Sequence, residues 1–274
     1  MVYRQVGDHI ITSAMEHSAV LELCHWLETQ GFRLTVLDVD KYGLIEPVDL
    51  ERSITEDTIL VTVMHANNEV GTIQPITELA RIAHRHGALM HTDAALSVGK
   101  IPVNVDSLGV DLLSIVGHKL YAPKGIGALY IRSGVRLEKL MYGAAHESNR
   151  RPGTENLLEI VGLGMACRVA ARDLEKNRYH LQSMRDRLYE GLLGTLGTSL
   201  VKLNGHPEKR LPNTLSLSFY GMEANTLLSA IGDQVAASAG AGCHTDSVEI
   251  SPVLVAMRVP VEWAMGTVRF SVGP

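Results

Sequence analysis

The sequence is poor in cysteine, aromatic side chains and positive charge, and each shortage argues against a class of protein. Only Cys24, Cys167 and Cys243 are present in 274 residues, and none belongs to a Cys-x-x-Cys pair, so we do not expect a disulfide-stapled secreted domain. The 25 Lys and Arg against 30 Asp and Glu give a net charge of -5, unlike a nucleic-acid-binding protein. We predict no nucleic-acid partner and a reducing, cytoplasmic compartment.

Long apolar runs are also missing. No stretch approaches the roughly 20 apolar residues that a transmembrane helix needs. The first residues, Met1–Gln5, contain no apolar signal-peptide core. We therefore expect no membrane-spanning segment. The proportions that remain, 46% hydrophobic and 20% charged, suit a globular protein with one large or two medium domains.

Apolar runs of strand length alternate with amphipathic stretches in the first half of the chain. The runs lie at 9–12, 34–37, 59–64, 88–91, 112–116 and 127–131. Helical spacing is found at 18–30 and 75–86. In the first of these stretches one face carries Val20, Leu21, Leu23, Cys24 and Leu27. Repeated strand–helix units predict an α/β fold with a mainly parallel sheet flanked by helices on both faces.

The pattern changes after Gly153. The pattern predicts a long helix, continuous or interrupted, from Leu157 to about Leu196. A strand over 211–219 and a short helix over 222–231 follow it. These elements predict a smaller C-terminal α+β domain. We place the boundary near residue 173, which gives domains of 1–173 and 174–274.

Polar residues at the ends of predicted strands are the first candidates for a site, because ligands of parallel α/β sheets bind beyond the carboxyl ends of the strands. Asn67 and Asn68 follow the 59–64 run, where their amides suit either directed hydrogen bonds or a simple turn. Asp93 follows the 88–91 run. Its carboxylate needs a partner there, for example the protonated pyridine nitrogen of pyridoxal phosphate (PLP), unless it only caps a helix.

A lysine and a cysteine are the candidate reactive groups. Lys119 comes directly after the 112–116 run, where partial burial would lower its pKa from about 10.4 and favour the neutral amine of a Schiff-base lysine. A lysine taken alone is more often a surface residue. Cys243 ends the small-residue segment 236–243, which predicts a mobile loop with an accessible thiol. This thiol is either a nucleophile or an incidental loop cysteine. Cys24 and Cys167 lie in helical apolar patterns and are predicted to be core residues.

Two other chemistries find little support. Gly125-Ile126-Gly127 lacks the third glycine of a dinucleotide fingerprint and precedes a strand, and no Walker A motif is present. His84 and His86 are two residues apart on a predicted helix and face different directions, so they do not predict a zinc site.

Seven short motifs occur in order along nearly the whole chain. They are Thr12–His17, His65–Gly71, His91–Ala95, Gly117–Lys119, Arg151–Asn156, Gly240–Cys243 and Val268–Ser271. Together they resemble the cysteine desulfurases (the NifS-like group) and the related selenocysteine lyases, which are PLP enzymes of the class V aminotransferase type. The resemblance implies a PLP-dependent transferase type I fold and a homodimer.

The resemblance implies a cofactor role for five residues. Lys119 would carry PLP as a Schiff base and later move the Cα proton. Asp93 would hold the pyridinium N–H, and His17 would stack on the ring and act in proton transfer. His118 would help to hold the phosphate, and Thr154 would reach the phosphate of the neighbouring subunit.

The resemblance also implies how the substrate is handled. Arg269 would form a bidentate pair with the substrate carboxylate, and Asn68 would bond near the phenolic oxygen of the cofactor or the substrate. Cys243 would take the sulfur as a persulfide and release alanine. A nearby base is expected to deprotonate this thiol, with His17 the candidate and His244 a weaker one.

Some of the family pattern is missing. Leu96 and Val116 stand where many desulfurases have Gln and Ser, which support the phenolic oxygen and the phosphate of the cofactor. Family members also carry an N-terminal stretch with a phosphate-binding loop at a helix N-terminus, and further helices after the Arg269 strand. We therefore expect a chain truncated at both ends that binds PLP more weakly than a full-length relative.

The leading prediction is a PLP-dependent cysteine desulfurase, which converts L-cysteine to L-alanine and passes the sulfur to an acceptor protein such as an iron–sulfur scaffold. Selenocysteine lyase, acting on L-selenocysteine, is the alternative. Arg151–Asn156, Val116 and Cys243-His244 with Asp246 favour the lyase, and Lys124–Tyr130 favours the desulfurase. A non-catalytic remnant is the third possibility, and a plain aminotransferase would not need Cys243.

Overall fold

The computed structural model describes residues 2–244 and 247–273, and of residues 241–244 and 247–249 it describes the backbone alone. The strands are β1 (His9–Ser13), β2 (Arg33–Leu37), β3 (Thr58–Thr62), β4 (Leu89–Asp93), β5 (Leu112–Val116), β6 (Gly127–Ile131), β7 (Val201–Asn204), β8 (Thr214–Phe219), β9 (Ser238–Ala239), β10 (Ala241–His244), β11 (Ser247–Ile250) and β12 (Thr267–Ser271). The α-helices are α1 (Ser18–Thr29), α2 (Pro47–Ser53), α3 (Ile76–Arg85), α4 (Val105–Leu108), α5 (His146–Asn149), α6 (Leu157–Leu196), α7 (Ala224–Ile231), α8 (Pro252–Ala256) and α9 (Val261–Ala264).

The first six strands form one sheet in the order β2-β1-β3-β4-β5-β6. Neighbouring strands are parallel from β2 to β5, and only β6 pairs antiparallel with β5 within this sheet. Six predicted strand runs thus correspond to six observed strands, and the predicted mainly parallel sheet is confirmed. The carboxyl ends of β1, β3, β4 and β5 consequently meet at one edge.

Helices cover both faces of this sheet. Ile10 and Ile11 are adjacent on β1, so their side chains point to opposite faces. Ile10 packs with Cys24 of α1, and Ile11 belongs to the larger cluster that contains Leu50 of α2 and Leu79 of α3. Burial of a side chain of this size stabilises the fold by about 1.5–3 kcal/mol, so this two-sided core holds the strand ends in place.

A second, antiparallel sheet lies in the C-terminal part, in the order β7-β8-β12-β9, and β10 pairs with β11 in a two-stranded sheet. Helix α6 begins and ends where the sequence predicts, and it runs without a break past residue 173. It packs on the 3-10 turn that follows β5 and also on β7 and β8. The division into domains at residue 173 stays a prediction.

Three local expectations differ from the structure. The sequence predicts a loop for the small-residue segment before Cys243, but this segment contains β9 and the start of β10. Gly240 allows this, because the backbone passes so close to Thr267 that a Cβ at position 240 would lie 2.6 Å from the Thr267 Cγ2. Leu23, predicted on the packed face of α1, is 53% exposed. Cys167 is only partly buried, whereas Cys24 is buried as predicted. No helix in the described ranges has the length and apolar character needed to cross a bilayer.

Candidate active site

Four of the predicted site residues follow strands whose carboxyl ends share one edge of the large sheet. His17 follows β1, Asn68 follows β3, Asp93 ends β4, and Lys119 lies in a single 3-10 turn, Gly117–Leu120, after β5. The parallel pairing of these strands brings residues far apart in sequence to the same edge.

Asp93 is half-buried at the last position of β4, in register with Ser114 of β5. Its Oδ1 accepts a hydrogen bond from the backbone N–H of Ala95 at 2.9 Å, the local bond of a turn or a cap. Among the described residues, its other oxygen has no hydrogen-bond partner. One oxygen of this carboxylate therefore shapes the turn, and the other is available to an N–H of a bound group.

Glu16 is a second carboxyl group near Asp93, and its sequence pattern predicts no role for it. It is 6% exposed. Its Oε1 accepts from the Ser13 hydroxyl at 2.7 Å and from the Met64 backbone N–H at 2.8 Å, while its buried Oε2 has no hydrogen-bond partner in the part of the chain that the structure describes. Burial, opposed by these two hydrogen bonds and reinforced by the negative charge of Asp93, raises the pKa of Glu16 to about 8. Protonation of Glu16 leaves Asp93 as the negative charge at the end of β4.

His17 caps the N-terminus of α1. Its Nδ1 accepts from the backbone N–H of Ala19 at 3.1 Å, so the neutral ring carries its proton on Nε2. The side chain is exposed. This bond fixes the ring orientation and leaves Nε2 free to exchange a proton.

Lys119 differs from its prediction, because its side chain is exposed and not partly buried. The buried strand β5 ends at Val116, and the 3-10 turn carries Lys119 beyond the sheet edge. The lysine beside this turn is Lys100, which is partly buried and whose Nζ donates to the backbone carbonyl of Lys119 at 3.1 Å. Burial, together with the positive charge of Lys119, lowers the pKa of Lys100 to about 8.

The two neighbouring asparagines after β3 have different tasks. Asn67 is fully buried and makes the turn: its Oδ1 accepts from the backbone N–H groups of Glu69 and Val70, and its Nδ2 donates to the Met15 carbonyl. Asn68 is only partly buried and has no side-chain hydrogen bond to the described residues. The turn interpretation is thus correct for Asn67, and the amide of Asn68 is free to bind a ligand.

Arg269 of β12 meets Asn68 although 201 residues separate them. Its Nη1 donates to the Asn68 carbonyl at 2.9 Å and its Nη2 to the Ser238 hydroxyl at 3.2 Å. Together with Glu69 and Ser251, these residues line a cavity of about 290 Å³. The guanidinium thus lines a cavity between the loop after β3 and the C-terminal sheet.

The remaining predicted residues are not joined to this group by any described contact. His118 is exposed beside Lys119, and Thr154 is exposed in the segment before α6. Cys243 lies in β10 in register with Val248, but the side chains of Cys243 and His244 are outside the described part of the chain, as is Asp246 altogether. Leu96 and Val116 are partly buried.

Histidine pairs elsewhere have ordinary structural partners. His84 bonds to Asp111 at 2.8 Å, and His86 lies 3.5 Å from Glu51. No cluster of His, Cys, Asp and Glu with the geometry of a metal site was found in the ranges that the structure describes.

Sequence and structure comparisons find close relatives. Residues 2–274 match the family described as Aminotransferase class-V. The chain is 47% identical to the cysteine desulfurase IscS of Dictyoglomus turgidum and 48% identical to that of Methanosarcina thermophila; it aligns over 97% and 98% of its own length, and over 68% and 66% of theirs. A solved structure titled NifS-like protein superposes with a TM-score of 0.90 at 36% identity, covering 99% of this chain and 71% of that one. The chain thus spans about two thirds of the length of these curated relatives.

Proposed function

The chain belongs to the aminotransferase class-V family and, within it, to the cysteine desulfurases, and from this premise we propose that it converts L-cysteine to L-alanine and an enzyme persulfide with PLP as cofactor. The observation that carries the proposal is the common edge of β3, β4 and β5, which brings together Asn68, Asp93 and Lys119, with Arg269 in contact.

The described residues fit PLP at two points. The free carboxylate oxygen of Asp93 is the acceptor that a pyridinium N–H requires. Glu16 beside it is protonated, so it adds no second negative charge that would compete with Asp93. Lys119 offers an exposed amine on a turn whose backbone is held by Lys100. PLP, when bound, would withdraw electrons from the Cα of the substrate. His118 and Thr154 would contact its phosphate.

The substrate would lie between Arg269 and the cofactor. Arg269 would pair with the α-carboxylate, since a guanidinium matches a carboxylate with two parallel hydrogen bonds. The amide of Asn68 would bond to the substrate or to the phenolic oxygen of the cofactor. The amine of Lys119 would remove the Cα proton, with the Nε2 of His17 as a further proton carrier.

Sulfur transfer would use the thiolate of Cys243. The thiolate attacks the substrate sulfur, a sulfur–sulfur bond forms as the Cβ–S bond breaks, and the electron pair left on carbon takes a proton to give alanine. The persulfide would then be passed to an acceptor protein in a reducing, cytoplasmic compartment.

We also propose that the chain acts as a homodimer. Exposed apolar side chains cluster in sequence around the loop before α6 and on its first turns, including Leu140 (96% exposed), Tyr142 (86%) and Leu158 (87%). Thr154 lies in the same region, which fits a residue that reaches the phosphate site of a neighbouring subunit.

The test is alanine release from L-cysteine and L-selenocysteine, measured side by side on the PLP-loaded protein. We expect release from cysteine, loss of at least a hundredfold in Cys243→Ser, and little change in the matched control Cys167→Ser. Release from selenocysteine alone would instead make the protein a selenocysteine lyase. Undiminished release in Cys243→Ser would contradict the persulfide step, and no release from either substrate would favour the non-catalytic alternative.

A further inference from the structure

Glu69 is a charged residue of the Arg269 cavity to which the proposed reaction gives no task. It follows Asn68 in the loop after β3, lines the same cavity of about 290 Å³, and is only partly exposed. A carboxylate beside the guanidinium that would bind a substrate carboxylate is unexpected, because like charges in one pocket repel.

The position of Glu69 is fixed by a long-range hydrogen bond. The Ser251 hydroxyl donates to its Oε2 at 2.5 Å, across 182 residues. The same hydroxyl oxygen accepts from the backbone N–H of Val253 at 3.1 Å and so caps α8. The carboxylate of Glu69 is therefore held at the cavity wall by a neutral partner that is itself fixed.

Arg269 is held by neutral partners as well. Its two described hydrogen bonds go to a backbone carbonyl and a hydroxyl, and its buried Nε has no hydrogen-bond partner among the described residues. Its charge is thus not paired through a hydrogen bond to any described carboxylate. Glu69 is the carboxylate that lines the cavity with it.

The electrostatic environment of Glu69 also places it beside Arg269. Burial raises the pKa of Glu69 above its ordinary value, and the hydrogen bond from Ser251 and the positive charge of Arg269 oppose this rise; His17 would add to them only with a protonated ring. The charged and titratable neighbours of Glu69 in the described residues are therefore Arg269 of β12 and His17 at the start of α1. Glu69 and Arg269 interact through space within one cavity.

We propose that Glu69 is a specificity-determining residue, a fixed negative charge that offsets Arg269 and restricts the cavity to ligands with one carboxylate. The inference rests on the proposed function, in which Arg269 binds the substrate carboxylate. With Glu69 ionised, Arg269 gives the cavity enough positive charge for one anionic group, and a second carboxylate on the ligand meets Glu69. The residue thereby selects small amino acids with a single carboxylate against acidic amino acids, which carry two.

The informative variant is Glu69→Gln, because Gln keeps the shape of the side chain and its carbonyl oxygen can still accept from Ser251. The change removes one negative charge from a partly desolvated cavity. At a separation of several ångströms and an effective dielectric constant near 20, this strengthens binding of a monocarboxylate about tenfold after screening by salt. A dicarboxylate gains more, on the order of a hundredfold, because its second group no longer meets a like charge.

The experiment is a ligand-observed NMR titration of the PLP-loaded protein with propionate and with succinate, which needs no turnover. We expect Glu69→Gln to bind propionate about tenfold and succinate about a hundredfold more tightly than the unchanged protein. The matched control Glu56→Gln makes the same change at an exposed position before β3 and is expected to leave both affinities unaltered. Ser251→Ala removes the hydrogen bond but keeps the charge, and we expect it to change the ratio of the two affinities less than threefold.

Two results would overturn the role of Glu69 while leaving the proposed function standing. In the first, the unchanged protein binds propionate, and Glu69→Gln, shown by circular dichroism to be folded, binds it no more tightly. The other is a Ser251→Ala variant that matches Glu69→Gln, since the effect would then come from position and not from charge. Absence of carboxylate binding in the unchanged protein is a different result, because it overturns the role of Arg269 and with it both proposals.

Discussion

Replacement of Glu16 by Gln is expected to remove a pH dependence of stability that arises from a buried, protonated carboxyl group, so that the stability difference between the two proteins changes sign with pH. The folded protein holds the pKa of Glu16 at about 8 against an ordinary value of 4.5. In this window the unfolded chain releases the proton and the folded chain keeps it, so stability falls as pH rises. Each pH unit contributes about 1.4 kcal/mol, and the whole window therefore costs about 5 kcal/mol.

Glutamine removes this titration at a constant cost. Its carbonyl oxygen can accept the two hydrogen bonds from Ser13 and Met64, but its amide group takes the place of Oε2, which is buried without a partner. An unsatisfied buried donor costs about 1–3 kcal/mol. We expect Glu16→Gln to be less stable than the unchanged protein at pH 5 by about 1–3 kcal/mol, and more stable at pH 9 by about 1–3 kcal/mol, because the titration contributes about 4 kcal/mol between these two pH values.

The assay is urea denaturation between pH 5 and 9, and the free energies of unfolding of the two proteins should cross between about pH 6 and 8. Glu22→Gln, at an exposed position of α1, is the control, and its difference from the unchanged protein should stay within about 0.5 kcal/mol at every pH. A Glu16→Gln difference that stays constant with pH would refute the argument, because Glu16 would then be ionised in the folded protein.

Two further predictions concern the lysine turn and the core. Lys100→Met removes the hydrogen bond to the Lys119 carbonyl and the second positive charge, so PLP affinity measured by fluorescence titration should fall about tenfold. The control Lys124→Met, at an exposed position, should leave the affinity unchanged. Equal affinities of Lys100→Met and the unchanged protein would contradict the role of Lys100. The side chain of Met90 in β4 is 0% exposed, so Met90→Ala leaves a cavity in the core and the free energy of unfolding should fall by about 2–5 kcal/mol. A loss below about 1 kcal/mol would mean that neighbouring side chains fill this cavity.

The large sheet could be predicted from the sequence because its strands are short, apolar and separated by periodic helices. Each run from 9–12 to 127–131 lies within one or two residues of an observed strand, and the 40-residue helix α6 has both predicted ends. The sequence did not predict β9 and β10. Their small side chains carry no period, and the pairing of β9 with β12 is a long-range contact.

The site could be predicted less completely, since its properties depend on contacts between distant segments. The resemblance to a family pointed to Asp93 and Lys119, but no local pattern reports that a 3-10 turn exposes Lys119 while Lys100 beside it is partly buried. The raised pKa of Glu16 likewise depends on burial against β3, and the contact of Arg269 with the loop after β3 spans 201 residues. Periodicity indicates which face is buried, and it does not indicate which charges meet.

The place of the cofactor can be measured directly by reducing the PLP-loaded protein with borohydride and mapping the labelled peptide by mass spectrometry. If Lys119 holds the cofactor, the pyridoxyl mass will be found on Lys119 and will disappear in Lys119→Arg, while Lys100→Arg keeps it. A label on Lys100, on Lys124 or on no lysine at all would show that Lys119 does not hold the cofactor in this protein.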